Sequence, residues 1–218
     1  MAPKSAYLGI YRCVFVNLRP VIPKEPEKLE LEICSPTTND AAQIWQLVRE
    51  TGVLDVNSAY LYLLLCRDFS DTCLVARRDG CVVGFVTGYR LPSDLGVLFI
   101  WQIGVASDTK RQGVGLRLLR ELIKRNAQSL TAIEATVSPS NAASRRLFES
   151  LAREIGVSMV DVPDCGFNVD DFPPGDHEAE PRIRIGSLND ELPFYDAAHQ
   201  KPRPATAAVS TKQILTKD

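Results

Sequence analysis

Trp101–Leu119, WQIGVASDTKRQGVGLRLL, sets an apolar strand, a glycine-paired loop and an amphipathic helix end to end. Gly113 and Gly115 allow the backbone to approach an anion closely, and the first N–H groups of the helix then face it with the positive end of the helix dipole. Lys110 and Arg111 add cationic charge to the same loop. Two glycines alone would equally mark an ordinary turn. The strand before them and LRLLRELI after them supply the context that a phosphate cradle requires. GxxxxGK followed by Ser or Thr is absent, and so is GxGxxG after the first strand, which excludes the nucleotide P-loop and the dinucleotide fingerprint.

Outward from this stretch, the periodicity predicts a helix over 113–128, a strand over 131–137, a helix over 141–154 and a strand near 155–162. Upstream, LEICSP reads as a short strand. Thr38, Asn39 and Asp40 cap a helix whose Ile44, Trp45, Leu47 and Val48 form one apolar face. Ser58 to Phe69, carrying AYLYLLLC, reads as a helix apolar on most sides and is expected to be buried. Asp79-Gly80 is a two-residue hairpin signal between strands 72–78 and 81–90, Leu91–Asp94 reads as a loop, and a long strand is expected from about Val97 to Val105. Strand and helix alternating after a hairpin imply an α/β fold, with a mixed sheet and helices on both faces. Residues 163–181 read as a functional loop because Phe167, Phe172 and His177 sit among its prolines and acids, and Arg182–Ile185 reads as the last strand. Residues 1–28 form an N-terminal arm in this reading, 29–186 the single domain, and 187–218 a tail expected to be disordered in part.

With 218 residues and 45% hydrophobic content, the chain can bury the core of one domain. A formal charge of -2 gives no electrostatic footprint for nucleic acid. No stretch is long enough to cross a bilayer, and Arg12 interrupts the apolar start that could pass for a signal peptide. Six cysteines without CxxC spacing read as free thiols in a reducing cytoplasm, and two histidines without clustered ligands give no metal site.

The loop Lys110-Arg111-Gln112-Gly113-Val114-Gly115 resembles the pyrophosphate loop of the GNAT N-acetyltransferase superfamily, with Lys110 where Arg or Gln is usual. Ser138-Pro139-Ser140-Asn141 resembles the superfamily's next element, in which an Asn contacts the coenzyme. The resemblance implies the GNAT acyltransferase fold, a mixed and mostly antiparallel twisted sheet with helices on both faces, and acetyl coenzyme A as cosubstrate. It places the coenzyme against Lys110, Arg111, Gly113, Gly115 and Asn141 and along a splayed strand at Ile103 to Val105, where a backbone N–H faces the thioester oxygen. Such a donor is worth on the order of 3 kcal/mol in a dry site. Relatives supply the leaving thiolate's proton from a Tyr on the helix after Asn141. Here that position is Phe148.

Three further segments, Leu54–Tyr60 (LDVNSAY), Phe99–Gln102 (FIWQ) and Asp176–Glu180 (DHEAE), resemble the L-2,4-diaminobutyrate acetyltransferases of ectoine biosynthesis. The implied reaction moves an acetyl group to the terminal amine of a small diamino acid, in a cytoplasmic homodimer with no nucleic-acid or membrane partner. On the resemblance, Tyr60 becomes the acid that replaces the missing Tyr; from its helix alone it reads as a core aromatic. Asp55 and Asn57 become substrate contacts, although either could belong to a helix cap. Trp101 becomes a pocket wall, where spacing alone would equally suit an ordinary core Trp. His177 and Glu180, with Glu178 beside them, become the groups that shape the amine site and accept its proton, against a plain acidic loop or a dimer contact. Acetylation of another small amine needs only the loop, and a catalytically silent coenzyme-binding module is consistent with Phe148.

Overall fold

Asp79 and Gly80 take the left-handed conformation, with φ of 54° and 78°, and close a hairpin between β2 (Leu74–Arg78) and β3 (Cys81–Leu91) in a computed structural model that describes residues 31–175, 177–186 and 188. The N-terminal arm, nearly all of the C-terminal tail, Cys13 and Asp176 lie outside the described residues. β1 (Glu32–Cys34) flanks β2, and β4 (Asp94–Val105) follows β3 through a turn tight enough to pair Leu91 with Asp94. The expected loop at 91–94 is therefore a hairpin corner. β5 (Ala132–Thr136), β6 (Met159–Phe167) and β7 (Glu180–Gly186) complete a seven-stranded sheet in the order β1-β2-β3-β4-β5-β7-β6. Among the described strands only β4 and β5 run parallel, so the sheet is mixed and mostly antiparallel, as expected. β6 extends into the expected loop as far as Phe167, because a register shift after Val162 lets Phe167 pair with Glu180.

Strand alternation sends Leu98, Ile100, Ile133, Ala135, Ile183 and Ile185 to one face, where they meet the apolar stripes of α3 (Val114–Asn126) and α4 (Ala142–Ile155). On the other face Val75, Val82 and Phe85 pack against α1 (Ala41–Thr51) and α2 (Ala59–Asp68). The expectation that α2 is buried on most sides is corrected here. Tyr62, Leu65 and Cys66 face the core, whereas Tyr60 is 65% exposed and Leu63 and the preceding Val56 are also exposed. One helix side suffices to cover the sheet, and no other element among the described residues packs on the opposite stripe.

The five described cysteines are free thiols. Burial pushes the Cys66 and Cys73 thiols up to about 12 and about 11, so neither is a ready nucleophile near neutral pH. No described helix is long and apolar enough to cross a membrane.

A bulge in β4 decides what the centre of the sheet presents. Gly88 pairs with Ile100 and Thr87 with Gln102, so Trp101 is the extra residue and the alternation flips beyond it. Gln102 turns inward, where its Oε1 accepts a 3.0 Å bond from the buried Tyr62 hydroxyl and its Nε2 donates to the Asp55 carbonyl at 2.9 Å. Trp101 is left 43% exposed.

Candidate active site

The glycine loop has the conformation that a phosphate cradle would require. Gly113 caps α3 in the left-handed region (φ 75°), and Arg111 shares that conformation (φ 65°). Thr109 fixes the base of the loop, its hydroxyl donating to the carbonyls of Ala106 at 3.0 Å and Val83 at 3.3 Å, while Asp108 pairs with Arg78. Lys110, Arg111 and Gln112 are exposed at the tip. Helix geometry leaves the N–H groups of Val114, Gly115 and Leu116 without intrahelical acceptors, and they open toward the mouth of this loop. Gly115 lies against Leu147 of α4, so the cradle is tied to the helix that Asn141 starts.

Next to the cradle the sheet opens. Parallel pairing of β4 with β5 ends at Ile100 and Ala135, yet β4 continues on β3 to Val105. On its other side β5 stays paired with β7 throughout, from Ala132 opposite Gly186 to Thr136 opposite Arg182. The edge of β4 from Trp101 onward thus keeps its N–H and C=O groups toward a gap, which is where an extended amide chain can add. Gly104 lies on this stretch. A Cβ there would come within 2.5 Å of Cε1 of the buried Phe85 and 3.2 Å of Cδ1 of Leu54, which packs against the same core cluster. Gly104→Ala is expected to cost about 1–3 kcal/mol through overpacking. Chemical denaturation would measure it, and an unchanged stability would show that the contact relaxes freely.

The gap leads into a cleft of about 610 Å³. Asp55, Asn57, Trp101, Ile103, Asn141, His177, Glu178 and Glu180 all line it, so segments far apart in sequence converge. The loop carrying Asp55 is pinned by its own backbone, since its carbonyl accepts from Gln102 and Asn57, and the Asn57 carbonyl accepts from Trp45 Nε1 at 3.2 Å. That leaves the Asp55 carboxylate without a side-chain partner among the described residues. Helix capping is done by Ser58, whose hydroxyl accepts from the Leu61 N–H. Asn141 caps α4 through a 3.1 Å bond from the Ser144 N–H while its residue borders the cleft.

On the opposite wall Glu180 Oε2 accepts a 2.6 Å bond from the Thr136 hydroxyl. Glu178 accepts from the Ser140 N–H at 3.0 Å, which ties its loop to the start of α4. The His177 ring stacks on Phe172 at 4.9 Å with an interplanar angle of 10°, and Phe167 packs edge-on against Phe172. Tyr60 does not line the cleft; its ring faces outward at the head of α2. Phe148 does line it, at the position of the missing Tyr. Among the described residues, no group of three His, Cys, Asp or Glu side chains converges as a metal site would need.

Gln102, Thr136 and Arg182 carry much of this geometry, and sequence reasoning gave none of them a role. A signal for Arg182 does exist. Glu134 sits in the apolar strand AIEAT, and a carboxylate buried there needs cationic partners, which the Arg-x-Arg of β7 provides.

Residues 39–152 match the family model described as Acetyltransferase (GNAT) family. The L-2,4-diaminobutyric acid acetyltransferase of Halalkalibacterium halodurans is 44% identical over 160 residues, spanning 73% of this chain and 83% of that protein. That of Streptomyces coelicolor is 40% identical, spanning 73% and 95%. Among solved structures, the diaminobutyrate acetyltransferase of Paenibacillus lautus, in complex with L-2,4-diaminobutyric acid and coenzyme A, superposes with a TM-score of 0.71 at 40% identity, over 76% of this chain and 99% of that one. The Escherichia coli ribosomal-protein-S18-alanine N-acetyltransferase, at 20% identity and a TM-score of 0.56, shares the fold.

Proposed function

The chain belongs to the acetyltransferase (GNAT) family, within its L-2,4-diaminobutyric acid acetyltransferases, and from that premise we propose how its residues carry out the transfer. It moves the acetyl group of acetyl coenzyme A to the 4-amino group of L-2,4-diaminobutyrate. The observation that carries this reading is the open edge of β4 between the phosphate cradle and a carboxylate-lined cleft. Lys110, Arg111, Gly113, Gly115 and Asn141 hold the coenzyme, and Ile103 to Val105 pair with its amide arm.

The amine nitrogen bonds to the acetyl carbon, the carbon–sulfur bond breaks, and the proton that the newly acylated nitrogen gives up passes to the departing thiolate, so the coenzyme leaves as the thiol. No covalent enzyme intermediate is required, because alignment alone turns this into an effectively unimolecular step. The substrate amine enters protonated near pH 7 and must lose its proton first. Glu180 takes it, oriented by Thr136, with His177 held beside it by the Phe172 stack. Asp55 holds the substrate's other ammonium, and Asn57 and Trp101 shape the wall. Tyr60 is not used as the acid, since its ring lies outside the cleft lining.

In this reading the enzyme works as a cytoplasmic homodimer. The exposed apolar stripe of Val56, Tyr60 and Leu63 on the α2 side supports the second subunit. Incubation of the purified protein with acetyl coenzyme A and a panel of amines, with products resolved by mass, tests the whole. A monoacetylated diaminobutyrate is expected as the dominant product. Preference for lysine, polyamines or peptide N-termini would overturn the assignment.

A further inference from the structure

We propose that Arg182 reads the carboxylate of the diamino acid and thereby sets the preference for an amino acid over a bare diamine; the inference rests on the acetyl-transfer reading above. The cleft is lined by three carboxylates, Asp55, Glu178 and Glu180, which suit the two ammonium groups of such a substrate. Its carboxylate needs the opposite charge. Among the described residues that line the cleft, Arg182 is the single Lys or Arg.

Register explains how a guanidinium comes to stand there. β7 sets Arg184 opposite Glu134 and Arg182 opposite Thr136, at the end of β5 where the sheet opens. Glu134 is 1% exposed and divides its carboxylate, Oε2 accepting from Arg182 Nη1 at 3.0 Å and Oε1 from Arg184 Nη1 at 2.6 Å. Arg182 therefore spends one of its five donors on the protein. Its plane is steadied by Phe99, whose ring centroid lies 5.3 Å from Arg182 Cζ. Its Nε is buried and has no hydrogen-bond partner. A buried donor without an acceptor is costly, and the remaining fork of a guanidinium matches a carboxylate. Thr136, opposite Arg182 in the ladder, carries the bond to Glu180, so the proposed carboxylate reader and proton acceptor are neighbours on one wall. A purely structural Arg182 would serve Glu134 alone and would be indifferent to the substrate's carboxylate.

The test compares kcat/KM for L-2,4-diaminobutyrate with that for 1,3-diaminopropane, its decarboxylated counterpart, in wild type and in Arg182→Met. The ratio is expected to fall by roughly 10- to 100-fold in the variant, the discrimination a charge-assisted bond carries. A stabilising shift in Tm on adding coenzyme A shows that the variant is folded. A folded variant with the wild-type ratio overturns the inference, and so does a wild-type enzyme that treats the two amines alike. Should Arg182→Met not fold, Arg182→Lys decides. Retention of the charge without the fork is expected to lower the ratio several-fold, and a wild-type ratio there overturns the inference. Wild type that does not acetylate diaminobutyrate at all removes the underlying functional reading instead, so the two failures are distinguishable.

Discussion

Glu180→Gln is expected to lower kcat with diaminobutyrate by about 10²- to 10⁴-fold near neutral pH, the range over which a positioned proton acceptor contributes. The amide keeps an oxygen for the Thr136 hydroxyl, which donates to Glu180 at 2.6 Å, so the wall stays assembled while the proposed acceptor of the ammonium proton is removed. Coenzyme affinity should hold, since the cradle at 110–115 lies on other elements. The pH profile adds a second reading. The variant's rate should climb as pH rises toward the amine's own pKa, because solvent then supplies the neutral amine that Glu180 no longer prepares. A variant with wild-type kcat and an unaltered profile would move the proton acceptor away from Glu180, toward His177.

Glu134→Ala is expected to destabilise the fold by about 3–5 kcal/mol, the cost of removing one partner from a buried ion pair. At this chain length that corresponds to a fall in Tm of about 6 to 20 °C. Glu134 is 1% exposed, and both Arg182 and Arg184 donate to it from side chains that are 17% exposed. Loss of the carboxylate leaves two guanidiniums side by side on one face of β7 with no shared counter-charge. Thermal and denaturant unfolding of the variant would measure the effect. A change below 1 kcal/mol would mean that solvent reaches the arginines and that Glu134 is not their anchor.

The elements themselves were legible because their signals are local. Asp79-Gly80 is a turn by its own conformational preference, and the stripes of α3 and α4 repeat at the helical period. The cradle was legible for the same reason, since its strand, glycines and helix are consecutive. The segment resemblances also pointed to Asp55, Trp101, His177 and Glu180, which share one cleft. Tyr60 was harder. AYLYLLLC is apolar nearly all round, so the sequence holds no indication of which side of α2 meets the sheet, and Tyr62 took the inward place beside Gln102.

What the chain determined by itself is thus a set of short-range features: where strands and helices begin, that 110–115 is a glycine-paired loop opening into a helix, and which family the chemistry belongs to. Tertiary structure alone decided the facing of the cleft. One extra residue at Trp101 inverts the alternation of β4, turning Gln102 onto Tyr62 and leaving the indole outward. The loss of β4–β5 pairing beyond Ile100 opens the gap, and the β5–β7 register sets Arg182 beside the open end of β5. The physical reason is that side-chain facing in a sheet follows register. Register is fixed by cross-strand hydrogen bonds between segments as far apart as Thr136 and Arg182, which no window of consecutive residues contains.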